Sequence, residues 1–314
     1  MKISNYILII LICISTALIA QEEKRPLEMK RGHISSRWKI NNNIEAKVFL
    51  ESGFPKIVIN EVFLNKYLKK LNVGLLEAPE KMNVALCGWK EKHKVLYIIK
   101  DFLTINGEKL KIDALVVNFS QIKAWKNYDI IYPIVELSGM IEMNIKDGYM
   151  KKLSSTQQIA KDFKSFDFKV DKKTRGPYIE KSLRVYDSEG TKEELIGNYL
   201  LDLGAPNAFI LDKNESKVKV FVKQTERMHL KDTTRINTKG KSELSIIMPQ
   251  RIEFDKIEVK DCFVPAMKFM IATKSNNCVG CIGNAFFKNF IIIFDYNNNK
   301  FYYKPNSDKV EMLN

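Results

Sequence analysis

Histidine is scarce in this chain: three occur among 314 residues, His33, His93 and His229, and they are far apart in the sequence. None has the neighbours of a Ser-His-Asp or metal-binding set, so we expect ordinary surface or hydrogen-bonded histidines. The sequence also lacks a Walker loop, a dinucleotide-binding glycine motif, a His-Glu-x-x-His helix and a Gly-x-Ser-x-Gly turn. These absences weaken the case for several enzyme classes, and we expect no metal and no cofactor.

Glycine and proline are modest in number, at 14 and 9, and no long segment has the biased composition that predicts disorder. Hydrophobic residues make up 45% of the chain, which is enough for a sizeable core. The length is compatible with one large domain or with two of about 150 residues each.

Cysteine is also infrequent, and Cys278 and Cys281 form a Cys-x-x-C spacing. A zinc ribbon needs a second such pair, and neither Cys87 nor Cys262 has a close Cys or His partner. A thioredoxin-type motif opens a helix, whereas Ile and Gly follow this one directly. Metal binding and redox chemistry are therefore disfavoured, and in an oxidising compartment these four cysteines allow three full disulfide patterns.

The first 20 residues differ from the rest of the chain. Lys2 gives a short positive start, and an uncharged, mostly apolar run over residues 6–20 ends in small residues at Ala17 and Ala20. The run is short for a membrane span, and the small residues at its end are typical of the cleavage site of a secretory signal peptide. We therefore predict a signal peptide at residues 1–20 and an exported chain, which is periplasmic, bound to the cell envelope or secreted. The alternative is an uncleaved N-terminal anchor; otherwise we expect no stable membrane span.

The formal net charge of +14 could attract nucleic acid or anionic surfaces. The lysines are scattered rather than arranged in a stripe, and no nucleic-acid-binding motif is present. We therefore expect no nucleic-acid partner. The densest lysine clusters, in predicted loops or solvated faces, are Lys90, Lys92 and Lys94, and Lys169, Lys172 and Lys173.

Short β-rich runs bounded by Asn, Gly, Asp and Lys dominate the remaining sequence. Helical spacing of apolar residues is found in few segments, among them residues 62–71. Many short strands with few helices predict an all-β sandwich or barrel-like fold. The predicted strands are residues 44–50, 95–99, 110–117, 199–201, 244–248, 257–264 and 290–295.

Two motifs recur in the same order in the two halves of the chain. Residues 49–55 and residues 200–206 both contain two apolar residues, an acid, a spacer, Gly, a second spacer and Pro. Further on, residues 139–144 line up with residues 280–285. Two ordered motifs at similar spacing indicate an internal duplication.

At these motifs the chain resembles the aspartic proteases of the pepsin and retropepsin type. That family carries an Asp-Thr-Gly or Asp-Ser-Gly loop, and later a hydrophobic-hydrophobic-Gly motif, in each lobe. Residues 200–204 and 281–283 are similar to these motifs, and residues 280–305 resemble the closing helix and strands of bacterial retropepsin-like domains. The resemblance implies an all-β, two-lobed acid-protease fold with few short helices, with lobes at residues 21–165 and 166–314.

The resemblance also implies an active pair of carboxyl groups, Glu51 and Asp202. Hydrolysis of a peptide without metal or covalent intermediate needs one carboxylate to accept a proton from water and one carboxyl to donate a proton. Two carboxyls about 3 Å apart cannot both ionise easily, so they share a proton. The residues expected to shape and lock the loops are Ser52, Gly53, Gly204 and Gly283.

Further expectations follow from the same resemblance. Gly88 and Trp89 stand where the family places its substrate-covering flap, although Trp89 could equally be a half-buried aromatic. Cys281 would lie in the core beneath the second loop, which leaves Cys262 and Cys278 as the predicted disulfide. The partner would be a peptide or protein substrate, and the chain would act as a monomer.

Three positions depart from the family pattern. The first acid is Glu51 rather than Asp, Leu203 replaces a hydroxyl residue, and Glu142 stands where the repeat predicts Gly. A displaced carboxyl, a lost hydrogen bond and a buried charge would each weaken catalysis. The sequence is therefore compatible with an imperfect peptidase and with an inactive homologue that binds extended peptides between the lobes. Alternatively, Glu51 is only a polar strand end and Asp202 only caps a turn.

Overall fold

A computed structural model describes residues 24–313 of the chain, and the signal peptide predicted at residues 1–20 lies outside this range. Among the described residues, no helix has the length and apolar character needed to cross a membrane. Within that range the structure omits residues 42, 86–91, 101–102, 106–107, 111–112, 121, 123–124, 138, 173, 231–233, 238–239 and 269–276.

The described part of the chain is mostly β, as predicted, and its helices are short. Asn60 caps the first helix by accepting a hydrogen bond from the Val62 N–H at 3.2 Å, and Asn72 ends this helix in the left-handed conformation, with φ of 48°. The helix predicted at residues 62–71 is therefore confirmed. The α-helices are α1 (Glu61–Leu71), α2 (Ser216–Gln224) and α3 (Asn284–Phe287), and the 3-10 helices are Ile134–Leu137, Thr156–Gln158 and Glu226–Met228.

The described strands of the first half of the chain begin close to the described N-terminus. They are β1 (Arg25–Pro26), β2 (Glu28–Lys30), β3 (His33–Ile40), β4 (Ile44–Glu51), β5 (Ile57–Asn60), β6 (Leu75–Glu77), β7 (Asn83–Ala85), β8 (Lys92–Lys94), β9 (Tyr97–Ile99), β10 (Leu103–Ile105), β11 (Glu108–Leu110), β12 (Ala114–Val117), β13 (Ile130–Pro133), β14 (Met140–Asn144) and β15 (Tyr149–Leu153).

The described strands of the second half include two of ten residues each. They are β16 (Lys164–Asp167), β17 (Lys169–Val170), β18 (Pro177–Tyr186), β19 (Lys192–Leu201), β20 (Phe209–Asp212), β21 (Thr234–Asn237), β22 (Gly240–Ile247), β23 (Arg251–Phe254), β24 (Ile257–Val259), β25 (Val264–Met267), β26 (Cys278–Ile282), β27 (Phe290–Asp295), β28 (Lys300–Pro305) and β29 (Val310–Met312).

Two large sheets share one order of strands. In the first, β3, β4, β13, β5, β12 and β9 are successive neighbours, and in the second β18, β19, β26, β20, β25 and β22 are. The β4–β13 and β5–β12 pairs are parallel, and so are the corresponding β19–β26 and β20–β25 pairs. The other neighbouring pairs in both series are antiparallel. A helix follows β5 and β20 alike, so the internal repeat extends to the topology.

A third sheet joins the two halves of the chain. Its order is β1, β15, β14, β27, β28 and β16, and at its centre β14 from the first half pairs antiparallel with β27 from the second half. The apolar side chains of β14 and β27 contribute to the buried core, including Met143, Ile292 and Phe294. This sheet fixes the two large sheets relative to each other.

The strand pairing corrects the register that the sequence repeat suggests. In the second half, β26 runs parallel to β19 and ends beside Asp202, whose N–H donates to the Ile282 carbonyl at 2.8 Å. In the first half the strand parallel to β4 is β13, and Pro133 lies opposite Glu51. The counterpart of Gly283 is therefore Pro133, and not a residue of segment 139–144.

Glu142 consequently does not interrupt a loop motif. It lies on β14 and is 7% exposed, and a hydrogen-bond donor and a positive charge lie beside its carboxylate. The Tyr149 hydroxyl donates a hydrogen bond to Glu142 at 3.1 Å, and the Lys151 ammonium is 3.5 Å from its other carboxylate oxygen. The prediction that a missing glycine at Glu142 damages the site is wrong.

The predicted disulfide between Cys262 and Cys278 is also wrong. Cys278 is buried on β26 in a small cluster with Leu200, Ala205 and Cys281, whereas Cys262 packs against the main core after β24. The structure records both as cysteines without a disulfide, and burial raises the pKa of the Cys262 thiol to about 12. The expected burial of Cys281 is confirmed, since it is only 2% exposed.

Candidate active site

The two predicted acids lie at the ends of β4 and β19, which occupy the same place in the strand order of the two large sheets. Glu51 is the last residue of β4, and Asp202 directly follows β19. Both strands are central in their sheets and are flanked on one side by a parallel neighbour, β13 or β26. The apolar residues at the ends of β4 and β19 are buried. The acid at the end of each strand must therefore either find hydrogen-bond partners or remain unpaired in the interior.

The structure brings the Glu51 and Asp202 side chains into a hydrogen bond with each other. The two residues are 7% and 9% exposed, so the pair is nearly enclosed but still reached by solvent. Backbone amides hold each acid. Glu51 Oε1 accepts from the Ser52 and Gly53 N–H groups at 3.1 and 2.8 Å, and Asp202 Oδ1 accepts from the Gly204 N–H at 2.8 Å.

Gly204 makes the close approach of the two acids possible. A Cβ atom at this position would lie 2.0 Å from Glu51 Oε2 and 3.0 Å from Asp202 Oδ1. At Gly53 the corresponding distances are 3.2 Å to Glu51 Oε1 and 3.7 Å to Asp202 Oδ1. The longer Glu51 side chain thus occupies the space that the missing side chain of Gly204 leaves, which explains how Glu is accommodated at this position.

Ser52 locks the first loop to the second. Its hydroxyl donates to the Leu201 carbonyl at 2.7 Å and accepts from the Leu203 N–H at 2.8 Å, on the two sides of Asp202. Leu203 itself is fully buried, and its side chain joins the main hydrophobic core. The lock therefore operates from one side, because Leu203 offers no hydroxyl for a reciprocal pair of bonds.

We expect Ser52→Ala to lower the free energy of unfolding by about 1–3 kcal/mol, since it leaves a buried N–H and a buried carbonyl without their partner. Urea denaturation measures this loss. Ser165→Ala, an exposed serine on β16, is the matched control and should change stability by less than about 0.5 kcal/mol. Equal stability of Ser52→Ala and the wild type would contradict the role given to the hydroxyl.

Gly283 and the residue after it support the second loop from below. A Cβ at Gly283 would lie 2.4 Å from the Ala205 carbonyl oxygen, so glycine is needed for close packing there. Asn284 donates from Nδ2 to the Leu203 carbonyl at 2.6 Å and to the Gly32 carbonyl at 2.8 Å. Asn284 thus ties the Asp202 loop to the N-terminal hairpin, a role that sequence reasoning missed although its position directly after Gly283 was available as a signal.

Burial and mutual repulsion set the titration of the pair. The pKa of Glu51 is raised well above its usual value, first by burial and then by the charge of Asp202, against the two backbone N–H bonds. Burial also raises the pKa of Asp202, while hydrogen bonds from Glu51 and the loop amides oppose the rise. Because Oε1 of Glu51 already accepts two N–H bonds, Oε2 is the oxygen that can carry a proton and donate it to Asp202.

The raised pKa of Glu51 predicts a pH-dependent gain in stability for Glu51→Gln. Between the unfolded-state pKa of Glu, about 4.3, and the raised folded-state pKa, the folded chain binds more protons, so wild-type stability falls as pH rises. Gln keeps an acceptor for the two amides and a donor for Asp202 but cannot ionise. We expect Glu51→Gln to have the higher melting temperature at pH 7 and the difference to close near pH 4.

Thermal unfolding at a series of pH values measures this difference. Glu80→Gln, at an exposed position, is the control and should follow the wild-type curve. A constant offset between Glu51→Gln and the wild type over the whole range would show that Glu51 does not titrate as described.

The predicted flap residues Gly88 and Trp89 lie outside the described residues. The strands on either side, β7 and β8, pair antiparallel with each other, from Asn83 opposite Lys94 to Ala85 opposite Lys92. The structure therefore describes the base of this hairpin and leaves the flap prediction untested.

Two further groups near the pair were not predicted. The His33 ring hydrogen-bonds to the backbone of Gly204 and feels the charge of Asp202. The Tyr296 hydroxyl is buried with no hydrogen-bond partner among the described residues, and its pKa is raised by burial and, to a smaller extent, by the charge of Glu51. Both come from segments distant in sequence from the two loops.

In comparisons with known proteins, no family model and no curated protein matches this chain.

Proposed function

We propose that this chain is an exported aspartic-type endopeptidase with a two-lobed acid-protease fold. The observation that carries the proposal is the hydrogen bond between the Glu51 and Asp202 carboxyls, on loops that follow corresponding strands of two sheets with the same topology. The enclosed position, the raised pKa values of both acids and the Ser52 lock are the properties that a proton-sharing catalytic pair requires.

We assign different roles to the two acids. Asp202 is the carboxylate that accepts a proton from water, and the water oxygen then attacks the carbonyl carbon of the peptide. Glu51 is the acid whose Oε2 proton passes to the carbonyl oxygen, giving a neutral tetrahedral diol. When this diol collapses, Asp202 returns its proton to the leaving nitrogen, the C–N bond breaks and Glu51 regains its proton from a diol hydroxyl.

Both acids come from one chain, so the site needs no second copy, and we propose a monomer that acts on peptide or protein substrates. The loss of the reciprocal hydroxyl at Leu203 supports a second candidate, an inactive homologue that binds extended peptides between the lobes. Buried Leu203 cannot donate a hydrogen bond to the first loop, so the Ser52 hydroxyl joins the two loops without a reciprocal bond from the second.

Cleavage of a peptide library between pH 3 and pH 8 tests the proposal. We expect wild-type turnover with a bell-shaped pH dependence, because Asp202 must be ionised and Glu51 protonated, and with both limbs displaced toward neutral pH by the raised pKa values. Asp202→Asn serves as the control. Peptide capture without cleavage favours the binding module, and equal turnover by the wild type and Asp202→Asn contradicts a role for the pair.

A further inference from the structure

The turn between β2 and β3 reaches across to the Asp202 loop. Arg31 and Gly32 adopt positive φ angles of 54° and 81°, which give a tight turn. A Cβ on Gly32 would lie 2.4 Å from Pro206 Cβ, and the Gly32 carbonyl accepts a hydrogen bond from Asn284. The contacts on both sides of Gly32 fix the next residue, His33, at the edge of the candidate active site.

The His33 ring is positioned from two directions. Its hydrogen bond to the backbone of Gly204 connects it to the residue that lies against both acids. On the other side it packs against the Phe49 ring, with centroids 5.4 Å apart. Its Nδ1 atom is buried and has no hydrogen-bond partner among the described residues, so neither nitrogen is simply a solvated surface group.

The charged and titratable neighbours of His33 are few in the described part of the chain. Asp202 acts on the ring from the second loop, Lys30 on β2 lies opposite His33 in the β2–β3 pairing, and Tyr128 lies behind Phe49 at 5.1 Å between ring centroids. Arg31, two residues earlier, is exposed. The nearest opposite charge for an imidazolium at His33 is therefore the Asp202 carboxylate.

We propose that His33 is a positioning residue of the Glu51–Asp202 pair, whose imidazolium stabilises the Asp202 carboxylate in acid and extends catalysis to lower pH. This inference rests on the proposed function. Stabilisation is mutual, because any energy by which the Asp202 charge favours the imidazolium also favours ionisation of Asp202. Burial lowers the pKa of His33, so the ring is neutral near pH 7 and gains its charge only as the solution becomes acidic.

The pH profile of kcat/KM for His33→Gln tests the inference. Gln preserves a donor for the Gly204 backbone but carries no charge, so the acid limb should move upward by about half to one pH unit, a loss of about three- to tenfold at pH 4. The loss at pH 7 should be smaller than the loss at pH 4. A purely structural role for His33 would lower activity equally at both pH values, and that result would overturn the inference.

His229→Gln is the matched control. Burial also lowers the pKa of His229, but its ring contacts Thr225 and its charged neighbours are Glu226 and Lys213 rather than the acid pair. We expect its acid limb to coincide with that of the wild type. A shift equal to that of His33→Gln would show that the effect is general and would overturn the proposed role.

NMR titration of the His33 ring separates this inference from the proposed function. In Asp202→Asn the imidazolium loses its neighbouring carboxylate, so the pKa of His33 should fall further below its wild-type value, whereas the pKa of His229 should not change. If the wild type cleaves no peptide, the proposed function fails, and the His33 titration still decides whether the ring and Asp202 are coupled. An identical pKa of His33 in both proteins would overturn the coupling.

Discussion

Asp202→Asn should lower kcat by about 10²–10⁴-fold while leaving the chain folded, because it removes the group that accepts the proton of the attacking water. The Asn side chain can still accept from the Gly204 N–H, so the loop conformation is preserved. Steady-state hydrolysis of a peptide identified from the library measures the loss, and circular dichroism with thermal unfolding verifies the fold.

The stability of Asp202→Asn provides a second readout. Since burial raises the pKa of Asp202, the charged form costs folding free energy at neutral pH, and the variant should unfold at the same or a higher temperature at pH 7. If Asp202→Asn were unfolded, its loss of activity would say nothing about the chemistry. Glu51→Gln, which removes the other acid of the pair, is therefore measured in parallel. Turnover within tenfold of the wild type in a folded Asp202→Asn would contradict the mechanism.

Gly204→Ala should lower the activity strongly and the stability only slightly. The new methyl group would lie 2.0 Å from Glu51 Oε2, so the Glu51 carboxyl must move away from Asp202. Displacement of a catalytic group by about 1 Å costs on the order of 100-fold in rate. The Glu51 carboxyl is the end of a flexible side chain, so it can move with a smaller effect on the fold, and the melting temperature should fall by only a few degrees.

Gly53→Ala is the control in the corresponding loop. Its methyl group would meet Glu51 Oε1 and the Leu200 side chain at 3.2 Å, which small adjustments can relieve. We expect it to retain more activity than Gly204→Ala by at least about tenfold. Equal activities of the two variants would show that the lack of a side chain at Gly204 is not what allows the Glu51 and Asp202 carboxyls to lie together.

The pairing of Glu51 with Asp202 could be predicted because both acids stand in the same short pattern after an apolar strand. The buried position of Cys281 followed from the resemblance of residues 281–283 to the second family motif, and the strand predicted at residues 290–295 has those bounds in the structure. Local apolar runs and local motifs thus carried most of the correct predictions. The long strands β3 and β18 were not predicted, because polar residues interrupt their alternation.

The register of the first-half repeat could not be read from residue identity. Pro133 holds the position opposite Glu51, while Gly283 ends the corresponding motif, and no shared residue links them. The spacing along the sequence indicates the equivalence better. The number of residues from Glu51 to Pro133 differs by only one from the number between Asp202 and Gly283. Strand pairing, which depends on backbone bonds rather than on side-chain type, reveals the equivalence.

The contact between His33 and Gly204 was beyond sequence reasoning for a different reason. An isolated histidine has no local partner to mark it, and the turn that positions it docks on a loop from the opposite half of the chain. The predicted disulfide failed similarly, because the cysteine count gives no information on which of two hydrophobic clusters each side chain joins.

The most direct test of the Glu51–Asp202 pair is carbon-13 NMR titration of their carboxyl carbons, assigned with Glu51→Gln and Asp202→Asn. We predict two coupled steps with one proton retained on the pair between them, and a second step well above the usual carboxyl range. Independent titrations at the ordinary pKa values of about 3.9 for Asp and 4.3 for Glu would contradict a shared proton and with it the proposed catalytic site.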